Sequence, residues 1–249
     1  MSLVNPKLTE SFKKLEEIAR EHRLLIALGG SVALTLWIVR DFLRWRSFGT
    51  GGTPPTVRGY LRIRKFWFFR FFKRDDLRDA SPLSTEGPTY LDKPIPRREG
   101  GRPKLTHWIM PQRQMPDSIT PKAHERLLQL MSFFATNHST ILSHAPSKTE
   151  GGTGPAIYAD PSLPTLNPAS AKIGYEMAHV HPAENSLHVY LSPRDAREVV
   201  EKEWGERFPL GAIAPASWVM VYAPRNEDEV DLVERIVRAA VGWNTGVRI

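Results

Sequence analysis

The chain has 249 residues, with 34 lysines and arginines against 27 aspartates and glutamates, a net charge of +7. A hydrophobic fraction of 41% supplies a real core and excludes a disordered chain. There is no cysteine, which excludes disulfides, cysteine nucleophiles and zinc sites of the finger type. From the N-terminus, residues 6–22 read as an amphipathic helix, with Asn5 as N-cap, Pro6 at the first helical position, and Leu8, Phe12, Leu15, Ile18 and Ala19 in one stripe. Leu24 to Val39 then runs without a charge, bracketed by Arg23 and Arg40. As a helix it is ~24 Å long, slightly short of a ~30 Å hydrocarbon core, and its flanking arginines can snorkel. Trp37 and Trp45 suit the membrane interface. A signal peptide and a buried core helix are the competing readings; no A-x-A site follows. The expectation is a single N-terminal membrane anchor.

Residues 47–56 form a Gly/Pro/Thr linker. Tyr60 to Phe72, YLRIRKFWFFRFF, interleaves aromatics with cations, and residues 58–74 contain no acid. Such a segment fits the headgroup layer of an anionic membrane, with Phe66, Trp67, Phe69 and Phe71 inserted. Beside an apolar helix, anionic lipid is the expected partner and nucleic acid is not, although basic aromatic runs also suit single strands. The aromatics could also line the mouth of an apolar substrate channel.

Residues 75–104 are proline-rich and polar, and are expected to wrap the domain surface. Thr106 to Gln114 is read as a strand, Lys122 to Asn137 as a helix, 145–155 as a mobile loop and Ala156 to Ala159 as a short strand. The glycines of 145–155 fit no phosphate-binding pattern.

Three of the eight histidines fall between Glu176 and Leu191, EMAHVHPAENSLHVYL. Val180, Val189 and Tyr190 favour strands, and Pro182 to Asn185 supply a turn. A hairpin with loop 182–185 sets His179 opposite His188, Val180 opposite Leu187 and His181 opposite Ser186. All three imidazoles then share one face, an arrangement that a one-residue slip destroys. Such a cluster suits a general base, an oxyanion partner or a metal site. The bland alternative is a polar sheet face without chemistry. Ser192-Pro193-Arg194-Asp195 and Asn226 to Glu229 open two further helices around a buried strand, Ser217 to Tyr222. The expected fold is α+β, a mainly antiparallel sheet with helices packed on one face. The expected organisation is 1–46 as amphipathic and anchor helices, 47–74 as linker and interfacial segment, and 75–249 as the soluble domain.

Several blocks together carry a resemblance: Arg98-Glu99-Gly100-Gly101-Arg102-Pro103, Gln112-Arg113-Gln114, Glu176 to Leu191, Trp204-Gly205-Glu206-Arg207 with Pro209-Leu210, and Tyr222 to Glu227. In order and spacing the chain resembles the fungal luciferases and the wider luciferase-domain family. The resemblance implies a membrane-associated monooxygenase that adds O2 to 3-hydroxyhispidin, a styryl 3-hydroxy-2-pyrone. It implies no cofactor beyond O2, loss of CO2 from a strained peroxide, and bioluminescence. It also implies a catalytic domain on the cytosolic face of the endoplasmic reticulum or a similar membrane. Two departures stand out. Phe208 occupies the position of a histidine in the luciferases, and the hairpin loop is one residue shorter.

For that chemistry His179 or His188 is the candidate base and His181 the candidate oxyanion donor. Arg113, Arg207 and Arg225 are candidates for the pyrone oxygens, and Trp204 and Tyr222 for stacking on an aryl ring. Leu24, Val39, Trp67 and Phe69 are the membrane-facing candidates. Simple ion pairing for Arg207 and Arg225, and core packing for Trp204, are the plain alternatives. Two other classes stay open. One is a metalloenzyme in which His179, His181 and His188, with Glu184, hold zinc or iron. The other is a non-catalytic lipophile-binding module.

Overall fold

The computed structural model describes residues 6–73 and 75–249. Asn5 and Arg74 lie outside the described residues, as do the side chains of Leu8, Leu15 and Ala19. The chain divides into two compact units between Phe48 and Gly49.

The first unit contains α1 (Pro6–Glu21) and α2 (Arg23–Phe48). At 26 residues α2 is long and apolar enough to cross a membrane. It exceeds the uncharged run because Arg40 to Phe48 continue the helix. Leu24 is 72% exposed and Val39 48%. The hydroxyls of Ser31 and Thr35 are satisfied within the helix, donating at 2.8 Å to the carbonyls of Ala27 and Ser31. That removes the main cost of placing them in an apolar medium.

The second unit opens with α3 (Val57–Lys73), the basic aromatic segment folded as a helix. Tyr60 and Ile63 are buried, whereas Trp67, Phe68, Phe69, Phe71 and Phe72 are exposed. Cations cover several rings: Arg64 lies over Tyr60 and Trp67, and Lys65 over Phe69. The remaining elements are α4 (Pro121–Asn137), β1 (Leu142–Pro146), β2 (Pro155–Ala159), a 3-10 turn (Pro168–Ile173), β3 (Glu176–Val180), β4 (Leu187–Tyr190), α5 (Pro193–Glu201), β5 (Gly205–Glu206), β6 (Trp218–Val221) and α6 (Glu227–Thr245).

The six strands form one sheet of order β1-β2-β3-β4-β6-β5, antiparallel throughout. The fold is α+β, as expected. Alternation sorts the strand residues between two faces. Ile157, Ala178, Val180, Leu187, Val189, Val219 and Val221 join Leu127, Met131 and Phe134 of α4 and Val233, Ile236 and Val237 of α6 in the main core. The opposite face carries His179, His188, Tyr190 and Trp218, and is covered by irregular chain. The helices start on side-chain caps: Thr120 accepts from Ala123 N, Ser192 from Asp195 N and Asn226 from Glu229 N.

Residues 75–104 wrap the domain without regular secondary structure. They are tied down where Asp195 accepts from Tyr90 N and Glu198 from Ile95 N, at 2.8 and 2.7 Å. The expected strand over 106–114 does not form. Thr106 N donates to Arg113 O and Met115 N to Lys104 O, so the segment doubles back on itself through a single bridge, Leu105 to Gln114. Pro111 at its middle lacks the N–H that a ladder needs. Conversely, β1 starts at Leu142, in a stretch not read as a strand.

The candidate active site

The histidine hairpin has the expected register: His179 pairs His188 and Val180 pairs Leu187. Its loop is closed by His181 N donating to Ser186 O at 2.9 Å, with Asn185 at φ 67°. Asparagine tolerates this left-handed conformation better than most residues. The three imidazoles are fully buried. His179 Nε2 lies 3.0 Å from His181 Nε2, and His188 Nδ1 lies 3.3 Å from each.

Each ring is held from behind. A carboxylate only accepts, so His179 Nδ1–H donates to Glu176 Oε1, at 2.7 Å. His181 Nδ1 meets Ser186 Oγ at 2.9 Å and Glu184 Oε1 at 2.9 Å. His188 Nε2 meets Gln112 Oε1 at 3.2 Å. That amide is oriented by its own nitrogen, which donates to Glu206 Oε1 and Arg207 O, both at 2.9 Å. All three rings therefore turn a second nitrogen inward, toward one another.

A fourth group joins them. Glu150 Oε1 lies 3.6 Å from His179 Nε2 and 3.5 Å from His181 Nε2, while Arg113 pairs with the other carboxylate oxygen. The four donors, all buried, lie within 4.8 Å of one another and could hold one metal ion. Glu150 sits in the segment read as a mobile loop. In the fold, loop 147–154 is stapled to the sheet. Ser147 N donates to Gly154 O, and Glu176 accepts from Ser147 Oγ and from the backbone of Lys148 and Thr149. Gly154 (φ 75°) has no room for a side chain, since a Cβ there would stand 2.4 Å from Val180 O.

The electrostatics follow from this crowding. Burial pushes the Glu176 carboxyl up, but His179 and the hydroxyls of Ser147 and Thr149 outweigh it and hold the group at about 2. Burial likewise opposes His181 and His179 at Glu150, and the histidines win, keeping that carboxyl well below its usual range. Burial lowers His179, yet Glu150 and Glu176 raise it to about 9. His188 is pushed well below its usual value by burial and by the other two histidines.

One side of the cluster opens on an apolar cavity of about 140 Å³, lined by His179, His188, Glu150, Met110, Phe208 and Trp218 among others. Trp218 stacks on His188 with ring centres 5.7 Å apart and planes at 5°. A larger cavity of about 540 Å³ lies on the other side of Gln112 and Arg113, with Trp67 and Phe71 of α3, Arg102, Glu206 and Tyr222 in its wall. Gln112 and Arg113 thus touch the histidine site and also line the larger cavity.

Of the residues singled out from sequence, His179, His181, His188 and Arg113 come together. Tyr222 lines the larger cavity, where Arg102 donates to its hydroxyl at 3.4 Å. Trp204 belongs to the core and donates to Pro96 O at 2.8 Å, with Arg98 over its ring. The Arg207 guanidinium clamps residues 75–79 through Asp75 Oδ1 and the carbonyls of Asp76 and Asp79. Arg225 pairs with Glu229 and donates to Glu99 O. The plain readings of Trp204, Arg207 and Arg225 describe these contacts. Glu150, Gln112 and Trp218 were not identified as site residues. Glu150 is an isolated acid in a glycine-rich loop, and nothing in its spacing ties it to the hairpin. Glu184, offered as a fourth ligand, instead supports His181 from behind.

Fold and site define a small α+β domain with a buried, carboxylate-supported histidine cluster beside an apolar cavity, the form of a small-molecule site. The luciferase domain matches residues 174–240, which hold the hairpin and most of α6. The chain is 32% identical to a luciferase of Armillaria ostoyae over 88% of this chain and 86% of that protein. It is 31% identical to one of Armillaria mellea, over 84% and 82%. A luciferase of Neonothopanus nambi is 29% identical over 97% and 95%. No solved structure matches the chain. The chain belongs to the fungal luciferase-domain family.

Proposed function

We propose that this protein is a membrane-associated, luciferase-like oxygenase. It adds O2 to an enolisable 3-hydroxy-2-pyrone of the 3-hydroxyhispidin type, with removal of the enol proton at the histidine cluster. The observation that carries this reading is the convergence of three buried imidazoles beside an apolar cavity, in a chain of this family.

The chemistry asks for little else. Singlet organic molecules react slowly with triplet O2, but an enolate is electron-rich enough to give up one electron and recombine as a peroxide. Loss of CO2 from that peroxide yields a carbonyl product, excited in the relatives that emit light. The protein supplies a proton acceptor, a partner for developing negative charge and a water-poor pocket. His179 and His188 line the cavity, and His181 is 3.0 Å from His179. Arg113 is placed to meet an anionic oxygen approaching from the larger cavity.

Membrane association is supported by α2 and by the exposed aromatic face of α3. Trp67 and Phe71 belong both to that face and to the wall of the larger cavity. A flat, poorly soluble substrate can then pass from the interfacial layer into the domain. Purified protein is tested by oxygen uptake with a styryl 3-hydroxy-2-pyrone. Uptake with matching CO2 release supports the reading. Well-folded protein without uptake on any 3-hydroxy-2-pyrone refutes it.

A further inference from the structure

The inward nitrogens of His179, His181 and His188 converge on one buried point with more acceptors than protein protons to fill them. Their outer nitrogens are committed as donors to Glu176, to Ser186 and Glu184, and to Gln112. A neutral imidazole with one N–H has only a lone pair on its other nitrogen. With all three rings neutral, three such lone pairs face each other at 3.0–3.3 Å. The nearest further group, Glu150 Oε1, is another acceptor. Four acceptors aimed at one buried point repel unless a proton or a metal cation lies among them, and one proton on His179 can serve only one of the contacts at a time.

We propose that Glu150, His179, His181 and His188 bind one divalent first-row transition-metal ion. The spacings fit. Around an ion bonded at about 2.0–2.2 Å to nitrogen or oxygen, neighbouring donors lie about 2.8–3.6 Å apart, from right-angled to tetrahedral arrangements. Five of the six donor separations here run from 3.0 to 3.6 Å, and the sixth, Glu150 to His188, is within 4.8 Å. The surroundings fit as well. Ligating histidines characteristically donate their other N–H to a carboxylate, carbonyl or similar acceptor, which fixes ring and tautomer. All three do so here. Arg113 holds the second oxygen of Glu150, leaving the first to point inward. Three imidazoles and one carboxylate suit zinc, iron or manganese, and suit calcium and magnesium poorly.

The position also gives the ion access to a ligand, because His179, His188 and Glu150 all border the apolar cavity. Its chemical role rests on the oxygenation proposed above: a Lewis-acidic ion beside that cavity would acidify an enol bound there. Its existence rests on the geometry alone.

The test uses the full-length protein in detergent, without substrate. Elemental analysis should find about one equivalent of zinc, iron or manganese per chain. After chelation, Zn2+, Mn2+ or anaerobic Fe2+ added singly should restore the thermal midpoint, at least one of them by about 5 °C or more. Co2+ should give a visible ligand-field band. Glu150→Gln and His181→Gln should weaken binding of the restoring ion at least tenfold, and His144→Gln, on an exposed position of β1, should not. Because those variants can misfold, the wild-type titrations stand as an independent readout. Substoichiometric metal, an unmoved midpoint with all three ions and no Co2+ band would overturn the proposal. So would a bound ion that folded Glu150→Gln and His181→Gln variants retain at full affinity. Metal bound without oxygen uptake would refute the proposed reaction and leave the site standing. Oxygen uptake by metal-free protein at the rate of the loaded protein would refute the ion's role in the reaction.

Discussion

His179 Nδ1 lies 2.7 Å from Glu176 Oε1, although the two residues are three apart in a single strand. In a regular strand, side chains at that spacing leave opposite faces. A β-bulge joins them. Between Ile157 and Tyr158 the register shifts, so that Ile157 pairs Ala178 but Tyr158 pairs Glu176, and Met177 is the extra residue. Bulges commonly re-aim side chains beside active sites. This one brings a buried carboxylate under a histidine and turns its Nε2 toward the other two rings.

Glu176→Gln keeps an acceptor but removes the charge that orients His179. Turnover is expected to fall about 10–100-fold, the usual scale for losing such a support, in a protein whose circular dichroism is unchanged. Steady-state oxygen uptake is the measurement. Unchanged turnover would show that the ring is oriented by other means.

Trp218 is nearly fully buried and stacks on His188, so truncating it removes packing and a wall of the smaller cavity. Trp218→Ala should cost about 3–5 kcal/mol of stability, as for other buried aromatic truncations. Trp218→Phe should lose much less. Urea denaturation of both variants decides this, and equal losses would contradict a packing role for the ring.

Glu206 gives a pH dependence of its own, one side chain removed from His188 through Gln112. Burial pushes its carboxyl up, only partly offset by Gln112 and by the charges of Arg70, Arg102 and Arg78. The folded state then keeps a proton at pH values where the unfolded chain has lost it. Stability attributable to Glu206 is therefore lost as pH rises from the ordinary carboxylate range through the raised folded value. Glu206→Gln should be the more stable on the alkaline side of that interval and should show a flatter profile. Thermal midpoints across the interval measure it, and parallel profiles for the two proteins would refute the assignment.

The membrane reading has two readouts. The full-length chain should require detergent, and residues 49–249 should still bind anionic vesicles in a salt-sensitive way through α3. Trp67→Asp with Phe69→Asp should abolish that residual binding. Asn137-His138-Ser139 is a glycosylation sequon at an exposed helix end and reports the side of the membrane. A cytosolic domain leaves Asn137 bare in a eukaryotic host. Glycan there would place the domain in the lumen.

The parts of this fold that were legible in the sequence are those set by short-range rules. The hairpin register follows from Pro182 to Asn185 closing between two β-rich runs, and two helix starts follow from Ser192 and Asn226 beside good helix formers. The parts that were not legible depend on contacts between distant segments. Nothing local marks Met177 as a bulge, and Glu150 reaches the histidines only because Ser147 and Gly154 close the loop onto β3. Gln112 lies in a stretch whose alternation reads as a strand, but tertiary hydrogen bonds to Glu206 and Arg207 fold it otherwise. Arg207 and Arg225 were equally plausible as ligand contacts or ion pairs, because a charge reveals its partner only in three dimensions.

The most direct test of the account compares oxygen uptake by wild-type protein with His179→Ala and His188→Ala, on one styryl 3-hydroxy-2-pyrone, with CO2 release followed in the same vessel. The account predicts uptake matched by CO2 in the wild type and a loss of about a hundredfold or more in each variant, the scale expected when a proton-transfer centre is removed. Folded variants that consume oxygen at the wild-type rate would contradict it, because the histidine cluster would then stand outside the reaction.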